Sequence, residues 1–528
     1  MDDNVQVANA AGAVSGATFI SRILGFLRDM ILAQLLGTKM AADAFFVAFR
    51  IPNLLRKILG EGGLTSSIVP VFTEYHVVKS KDEVWRLANI LLNTFLLILL
   101  VAVTMGMVFS PIIVRVIAPG FSASPEKFNL TVQLTRMMFP YLFFVSMAAL
   151  TMGMLNSLQV FFIPALSPVF LNISIILFAL FLAPRLEAPV FALAVGVVVG
   201  GMFQLFFQIP PLIKKGLKYK ALLDFNHEGF RRIGKLMLAS LLGLAATEIN
   251  VFVDTLLASL LPEGSVSYLY FGNRLVTFPQ GIFAVALGVA ILPTLSRQVA
   301  HGQIEKLKET LSFAIQLVLF ITIPATVGLI VLKDSIINLL FEWGGEFDRL
   351  STIGTAHALF YYSIGLCAFS GIKIIVPAFY SLKDSLTPAK ISIYAVIINI
   401  LLNLLFMGPL LHGGLALATS LSALFNVTLL IFILRKRIGG LQGRKILKST
   451  VKLLMVSTIM GFVIYFIDNS FYHLESNILL KIGVLFGNIA LGVVLYLVLS
   501  FFIITDEVRF LMDLARNKIV PNSCKMRK

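Results

Sequence analysis

The stretch SRILGFLRDM sets Arg22, Arg28 and Asp29 inside an apolar run that extends from near Ala10 to near Gly37. A second run, DAFFVAFRIPNLLRKILGEGG, carries Asp43, Arg50, Asn53, Arg56 and Glu61 and is interrupted by Pro52 and the Gly62-Gly63 pair. A third, SYLYFGNRLVTFPQG, carries Arg274. If the first run enters a bilayer near Gly12, Arg22 lies about ten residues in, ~15 Å at 1.5 Å per residue, and Arg28 lies ~9 Å further on. An arginine at such depth costs ~2.5–3.5 kcal/mol when it faces lipid. The arginines are therefore expected to face one another and their acidic neighbours across a water-filled cavity. A surplus of guanidinium groups in such a cavity calls for an anion. The planar, permanently charged fork of arginine suits the paired oxygens of phosphate or pyrophosphate better than a simple carboxylate.

A plainer reading makes the same residues ion pairs between helices, Arg28 with Asp29 or Asp43 and Arg56 with Glu61. Structural pairing would call for matching carboxylates, and arginine outnumbers them at these depths. Arg22 and Asp29, seven apart, share a helix face, whereas Arg28 points about 100° away.

Composition requires a membrane around these residues. The 528 residues are 58% hydrophobic and 13% charged, with a mean hydropathy of +0.92, beyond what a soluble globular domain tolerates. Apolar runs of about 20 residues recur along the chain. They give fourteen expected spans, centred near Ile23, Leu59, Leu97, Val145, Ile173, Val198, Ala246, Leu287, Phe320, Gly365, Ile397, Leu424, Met460 and Val493. The N-terminal MDDNVQVANAAGAV lacks a basic region and a cleavage site, so the first span is expected to be kept. Basic residues collect in alternate loops: Lys79 to Arg86, Lys214 to Lys235, Arg435 to Lys448, and the tail from Arg516. The loops LPEGSV and GPLLHG carry none. The positive-inside rule then places both termini in the cytoplasm, and it accounts for the net charge of +16 without nucleic acid. Cys367 and Cys524 are too few and too far apart for a disulfide framework or a thiolate metal site.

Four weak matches share nearly one offset. Pro164 aligns with Pro388, Asp29 with Asp254, Pro70 with Pro293 and Ala194 with Ala418, at separations of about 224 residues. An internal duplication follows. Six spans per copy give a parallel repeat, the frame of many alternating-access transporters. The expected fold is thus an all-α polytopic membrane protein: an N-lobe over 1–224, a C-lobe over 225–447, extra helices over 448–505, and a cytoplasmic tail over 506–528.

The motifs SRILGFLRD, DAFFVAFRIPNLLRKILGEGGLTSSIVPVF and NRLVTFPQGIFAVALGVAILPTLS resemble the MurJ (MviN) family of bacterial lipid II flippases, within the multidrug/oligosaccharidyl-lipid/polysaccharide exporter superfamily. The resemblance covers essentially the whole chain. It implies a transporter, not an enzyme, that carries undecaprenyl-pyrophosphate-linked disaccharide pentapeptide from the cytoplasmic to the periplasmic leaflet of the bacterial inner membrane. The family's cavity arginines match Arg22, Arg28, Arg56 and Arg274. Asp29, Asp43, Asn53 and Glu61 match positions that shape the site or its gate. The two extra spans match a lateral groove for the lipid tail. The implied partners are lipid II and membrane lipids, and the expected assembly is a monomer, alone or beside cell-wall synthesis machinery.

No GxxxxGK[ST] loop occurs, which leaves membrane potential or an ion gradient to drive transport. Thr247, Asn250 and Asp254 share one face of span seven. Asn399 and Asn403 in span eleven and Thr419 in span twelve add further oxygens suited to a hard cation. By resemblance, Asp254, Asn399, Asn403, Thr419 and the Leu415 carbonyl are candidate ligands for sodium as coupling ion. Asn403 is an amide where a carboxylate would bind a cation better, and these groups also suit plain interhelical hydrogen bonds. Two other readings are a flippase for another polyprenyl-linked glycan and a membrane glycosyltransferase. The second expects paired carboxylates or a His/Asp constellation, but the six histidines are scattered without metal-ligand spacing.

Overall fold

The structure, a computed structural model, describes residues 3–56, 64–472 and 477–503. Among these residues the regular structure is entirely helical. Of the fourteen expected centres, twelve fall inside helices and Gly365 marks the break between two. Leu59 lies outside the described residues, as do Glu61 and the tail over 506–528.

The chain divides into two compact units, Met1–Ser267 with Phe341–Ser351, and Tyr268–Leu340 with Thr352–Lys528. The first holds α1 (Asp3–Leu36), α2 (Met40–Arg56), α3 (Thr65–Val78), α4 (Lys81–Val108), α5 (Ser110–Ile117), α6 (Pro125–Ser157), α7 (Phe162–Phe181), α8 (Val190–Phe206), α9 (Ile209–Lys214) and α10 (Glu228–Ser259). Its centre is α6, whose 33 residues reach about 50 Å and which packs on α2, α3, α4 and α8. Local chemistry sets the starts of the long helices. Ser80 accepts from the Glu83 N–H at 3.3 Å at the head of α4, and Ser124 precedes Pro125 at the head of α6. On α8, Gly196 and Gly200 lie one turn apart. A Cβ at Gly200 would stand 2.9 Å from the Leu171 Cα, and one at Gly196 would stand 3.2 Å from the Ile175 Cα, so α7 and α8 meet backbone to backbone.

The second unit contains most of α11 (Ser265–Pro279), then α12 (Val285–Ala300), α13 (Ile304–Val331), α14 (Lys333–Phe341), α15 (Arg349–Ile364), α16 (Leu366–Ser381), α17 (Leu386–Leu410), α18 (His412–Ile438), α19 (Gly443–Ile467) and α20 (Ile478–Ile503). Its packing diagram repeats the first. The pairs α7–α8, α6–α8, α4–α6 and α3–α6 have counterparts in α17–α18, α16–α18, α13–α16 and α12–α16. Register follows as well, since Pro164 and Pro388 are each the third residue of their helix, α7 and α17. Outside this repeat, α19 packs on α13 and α20 on α19.

Among the described residues, ten helical segments are long and apolar enough to cross a membrane, or up to eleven if the bent pair α15–α16 is one span. The other three expected spans correspond to α1, α2 with α3, and α10, the segments that carry Arg22, Arg28, Asp29, Asp43, Arg50, Arg56 and Asp254. The exposed faces are those of a lipid-solvated protein. Phe462, Leu479 and Phe502 are 65%, 73% and 75% exposed, while Asn399, Asn403 and Asp29 are fully buried.

Candidate functional site

In the first unit, Arg28 and Asp29 are adjacent on α1 and both buried. The Arg28 Nε and Nη2 donate to Asp29 Oδ1 at 3.0 and 2.6 Å, and Nη1 donates to Asn172 Oδ1 at 3.1 Å. The Asn172 Nδ2 returns to the Ser21 carbonyl at 3.0 Å. One α7 amide thus fixes both the direction of the guanidinium and the approach of α7 to α1. Asn172 was not among the residues expected from the sequence, where a lone amide in FLNISII carries no spacing signal. Arg22, two turns from Asp29, is half-buried, and among the described residues it makes no ion pair.

Arg56 donates from Nε to Asn53 Oδ1 at 2.9 Å, three residues back on α2. Arg50 bonds Thr255 on α10, and the Thr255 hydroxyl in turn donates to the Val251 carbonyl at 2.6 Å. Arg274 lies in the second unit, half-buried on α11, five residues before Pro279 and the π-helical turn Gln280–Ala284. Such turns are rare and recur at functional sites.

Asp43 does not pair with Arg28. Its carboxylate is 1% exposed and accepts Lys127 Nζ at 2.7 Å, the Gly264 N–H at 2.9 Å, and the Ser267 N–H and hydroxyl at 3.0 and 2.6 Å. One carboxylate therefore joins the starts of α2, α6 and α11. The first-turn amides of α11 suit a negative charge, and the Phe121 ring lies 4.2 Å from Lys127 Nζ. Around the same end, Lys39 pairs with Glu346 at 2.7 Å, the Glu346 N–H donates to the Gln34 carbonyl at 2.8 Å, and Thr38 and Ser351 share a hydroxyl hydrogen bond at 2.7 Å. Gly37 is required there: its φ is +61°, and a Cβ would stand 2.3 Å from the Glu346 carbonyl oxygen. Because Lys39 faces Glu346, its ammonium is held above the ordinary lysine value. A pocket of about 830 Å³ opens beside Lys39, Glu126, Gln133 and Glu346, and none of the candidate arginines line it.

The candidate cation ligands divide between the units. In the first, Asn250 Nδ2 lies 3.4 Å from Asp254 Oδ2. In the second, Asn403 Nδ2 donates to Asn399 Oδ1 at 2.8 Å, Asn399 Nδ2 reaches Thr419 Oγ1 at 3.4 Å, and that hydroxyl donates to the Leu415 carbonyl at 2.9 Å. This ladder ties α17 to α18. Its neutral amide, hydroxyl and carbonyl oxygens suit a monovalent hard cation. Among the described residues no cluster of three His, Cys, Asp or Glu exists to hold a transition metal.

The family profile described as "Lipid II flippase MurJ" matches residues 32–486. A probable lipid II flippase MurJ from Vibrio cholerae is 36% identical over 501 residues, covering 92% of this chain and 94% of its own. A lipid II flippase MurJ from Burkholderia cenocepacia is 34% identical over 428 residues, covering 80% and 83%. Among solved structures, a lipid II flippase MurJ in an inward closed conformation matches with a TM-score of 0.79 at 30% identity, covering 95% of this chain and 99% of its own. An inward-facing multidrug transporter of the MATE family and MOP superfamily matches with a TM-score of 0.67 at 17% identity, covering 80% and 96%, a likeness of fold alone. A profile match over most of the length, joined to relatives above 30% identity across nearly whole chains, means that this chain belongs to the MurJ family of lipid II flippases.

Proposed function

We propose that this chain is a lipid II flippase, carrying the undecaprenyl-pyrophosphate-linked peptidoglycan precursor from the cytoplasmic to the periplasmic leaflet of a bacterial inner membrane. Membership of the MurJ family carries this reading. In the proposed topology both termini are cytoplasmic, residues 1–224 and 225–447 form the repeated lobes, and α19 and α20 offer an apolar groove to the lipid tail. The monomer is the working unit.

Arg22, Arg28, Arg56 and Arg274 are the proposed pyrophosphate ligands, with Asp29, Asn53 and Glu61 shaping the site. Two observations support the assignment: Arg22 makes no ion pair among the described residues, and Arg28 is oriented by Asp29 and Asn172. A guanidinium already fixed in direction loses little side-chain entropy on binding a phosphate, so affinity and orientation come together. Asp43 is the proposed latch. It holds three helix starts in a buried, charge-assisted cluster, and the periplasmic end opens as that cluster is exchanged for water.

Membrane potential or an ion gradient drives the cycle. Sodium is the proposed coupling ion, held by Asp254, Asn399, Asn403, Thr419 and the Leu415 carbonyl, and its charge compensation would bias one state of the carrier. Equal transport rates in sodium, potassium and choline media would remove sodium from this scheme. The function itself is tested by depleting the resident lipid II flippase of a bacterial host and expressing this chain. Growth and normal cell shape are expected. Lysis despite correctly inserted protein would move the substrate to another polyprenyl-linked glycan.

A further inference from the structure

Asn89 and Asn93 sit one turn apart on α4, 1% and 7% exposed, and their side chains hold a separate stretch of chain. Asn89 Nδ2 donates to the Trp85 carbonyl at 2.8 Å and the Lys218 carbonyl at 2.9 Å, while its Oδ1 accepts the Lys220 N–H at 2.8 Å. Asn93 Nδ2 donates to the Asn89 and Lys220 carbonyls, both at 2.8 Å, and its Oδ1 accepts the Tyr219 hydroxyl at 2.7 Å. Two buried amides therefore take the place of a neighbouring strand for Lys218–Lys220. Flanking contacts complete the anchor. Leu212 is fully buried, Leu217 packs on the core of the unit, Arg86 pairs with Asp224 at 3.2 Å, and Glu83 meets His227 at 2.9 Å.

What this anchor displays is cationic and apolar at once. Lys214, Lys215, Lys218 and Lys220 are all exposed, as are Ile213 (59%), Tyr219 (65%), Leu223 (51%) and Phe225 (59%). Exposed aromatic and aliphatic groups would be a liability in water. Beside lysines, at the ends of the membrane-spanning α4 and α8 and before the start of α10, they match the headgroup layer, where apolar groups enter the acyl boundary and ammonium groups meet phosphates. We infer that residues 209–225, clamped by Asn89 and Asn93, form a docking surface for the anionic phospholipid leaflet, with Lys218 and Lys220 on the lipid phosphates and Tyr219, Leu223 and Phe225 at the acyl boundary. A fixed loop meets the leaflet in one register, whereas an unclamped basic loop would bind it diffusely.

The test uses the full chain with Cys367→Ala, Cys524→Ser and Leu223→Cys, carrying an environment-sensitive NBD label, in nanodiscs of phosphatidylcholine alone or with about one-third phosphatidylglycerol. The expected result is blue-shifted emission, quenched by spin-labelled lipid, in anionic discs only. It should be reversed by about 1 M salt, where the screening length falls to ~3 Å. Lys218→Gln with Lys220→Gln, both exposed and outside the core, should return the emission to its neutral-disc value. The same emission in both discs, or an unchanged signal in the double variant, would overturn the inference. The readout needs no transport, so failure of the flippase reading and failure of this one are seen separately.

Discussion

Arg28 and Asn172 join α1 to α7 through a guanidinium-to-amide hydrogen bond of 3.1 Å, and the same amide returns to the Ser21 carbonyl two turns earlier on α1. The bond is buried and charge-assisted, the class worth ~1.5–3 kcal/mol. Asn172→Ala should therefore lower flipping by roughly tenfold, the equivalent of ~1.4 kcal/mol, with membrane levels near wild type. Arg28→Lys should do worse, because one ammonium cannot satisfy Asp29, Asn172 and a phosphate together. Lipid II exposure at matched expression checks both. An Asn172→Ala protein with wild-type exposure would show that the bond orients nothing needed.

Asp43 and Lys127 should behave as a coupled pair. Removing one partner strands the other charge in a buried site and costs ~3–5 kcal/mol. Asp43→Ala and Lys127→Met should each lower the melting temperature in detergent, while the double variant should lose far less than the sum. Additive losses would show that the pair contributes little beyond the Gly264 and Ser267 hydrogen bonds.

Gly200→Leu should prevent stable insertion, since even a Cβ there meets the Leu171 backbone at 2.9 Å. Gly328→Ala, in α13, is the contrasting substitution. Nothing lies within 4 Å of its added Cβ, so stability should stay level or rise by about 0.4–1 kcal/mol. Fluorescence-detected melting of the two proteins separates close helix approach from a general dislike of glycine replacement.

Asp384 sits in the loop before α17, where its carboxylate accepts the Thr387 N–H at 3.0 Å and hydroxyl at 2.7 Å. These bonds, with the Arg437 pair, hold it below the ordinary 3.8. A carboxyl depressed in the folded state contributes stability that is fully present above the unfolded value and is lost as pH falls through the folded one. Asp384→Asn should therefore destabilise the protein at neutral pH, and its gap to wild type should narrow once the pH drops below 3.8. Melting curves against pH in detergent check the sign. A gap that widens in acid would contradict it.

Periodicity and composition made the helices legible, because a span must satisfy its own backbone and so writes itself into about 20 apolar residues. The repeat was legible through Pro164 and Pro388, whose positions are tied to helix starts. Side-chain partners were harder to read. Asp43 suits Arg28 by charge and by its nearness in sequence, but it meets Lys127, 84 residues away, and the start of α11. Asn172, Asn89 and Asn93 carry no signal in the sequence, because a buried amide shows its purpose only through the distant carbonyl or guanidinium it reaches. Arg28 with Asp29 was the exception, since neighbours in sequence are neighbours in space.

The proposed role of the α1 arginines is to hold the pyrophosphate of lipid II during its passage across the membrane. Its most direct test is lipid II reaching the outer leaflet of cells that depend on this chain, measured by cleavage with an externally added lipid II-degrading toxin. The expected result is full cleavage with the wild type and its loss with Arg28→Ala and with Arg22→Ala at equal membrane levels. Undiminished cleavage in both variants would contradict that role.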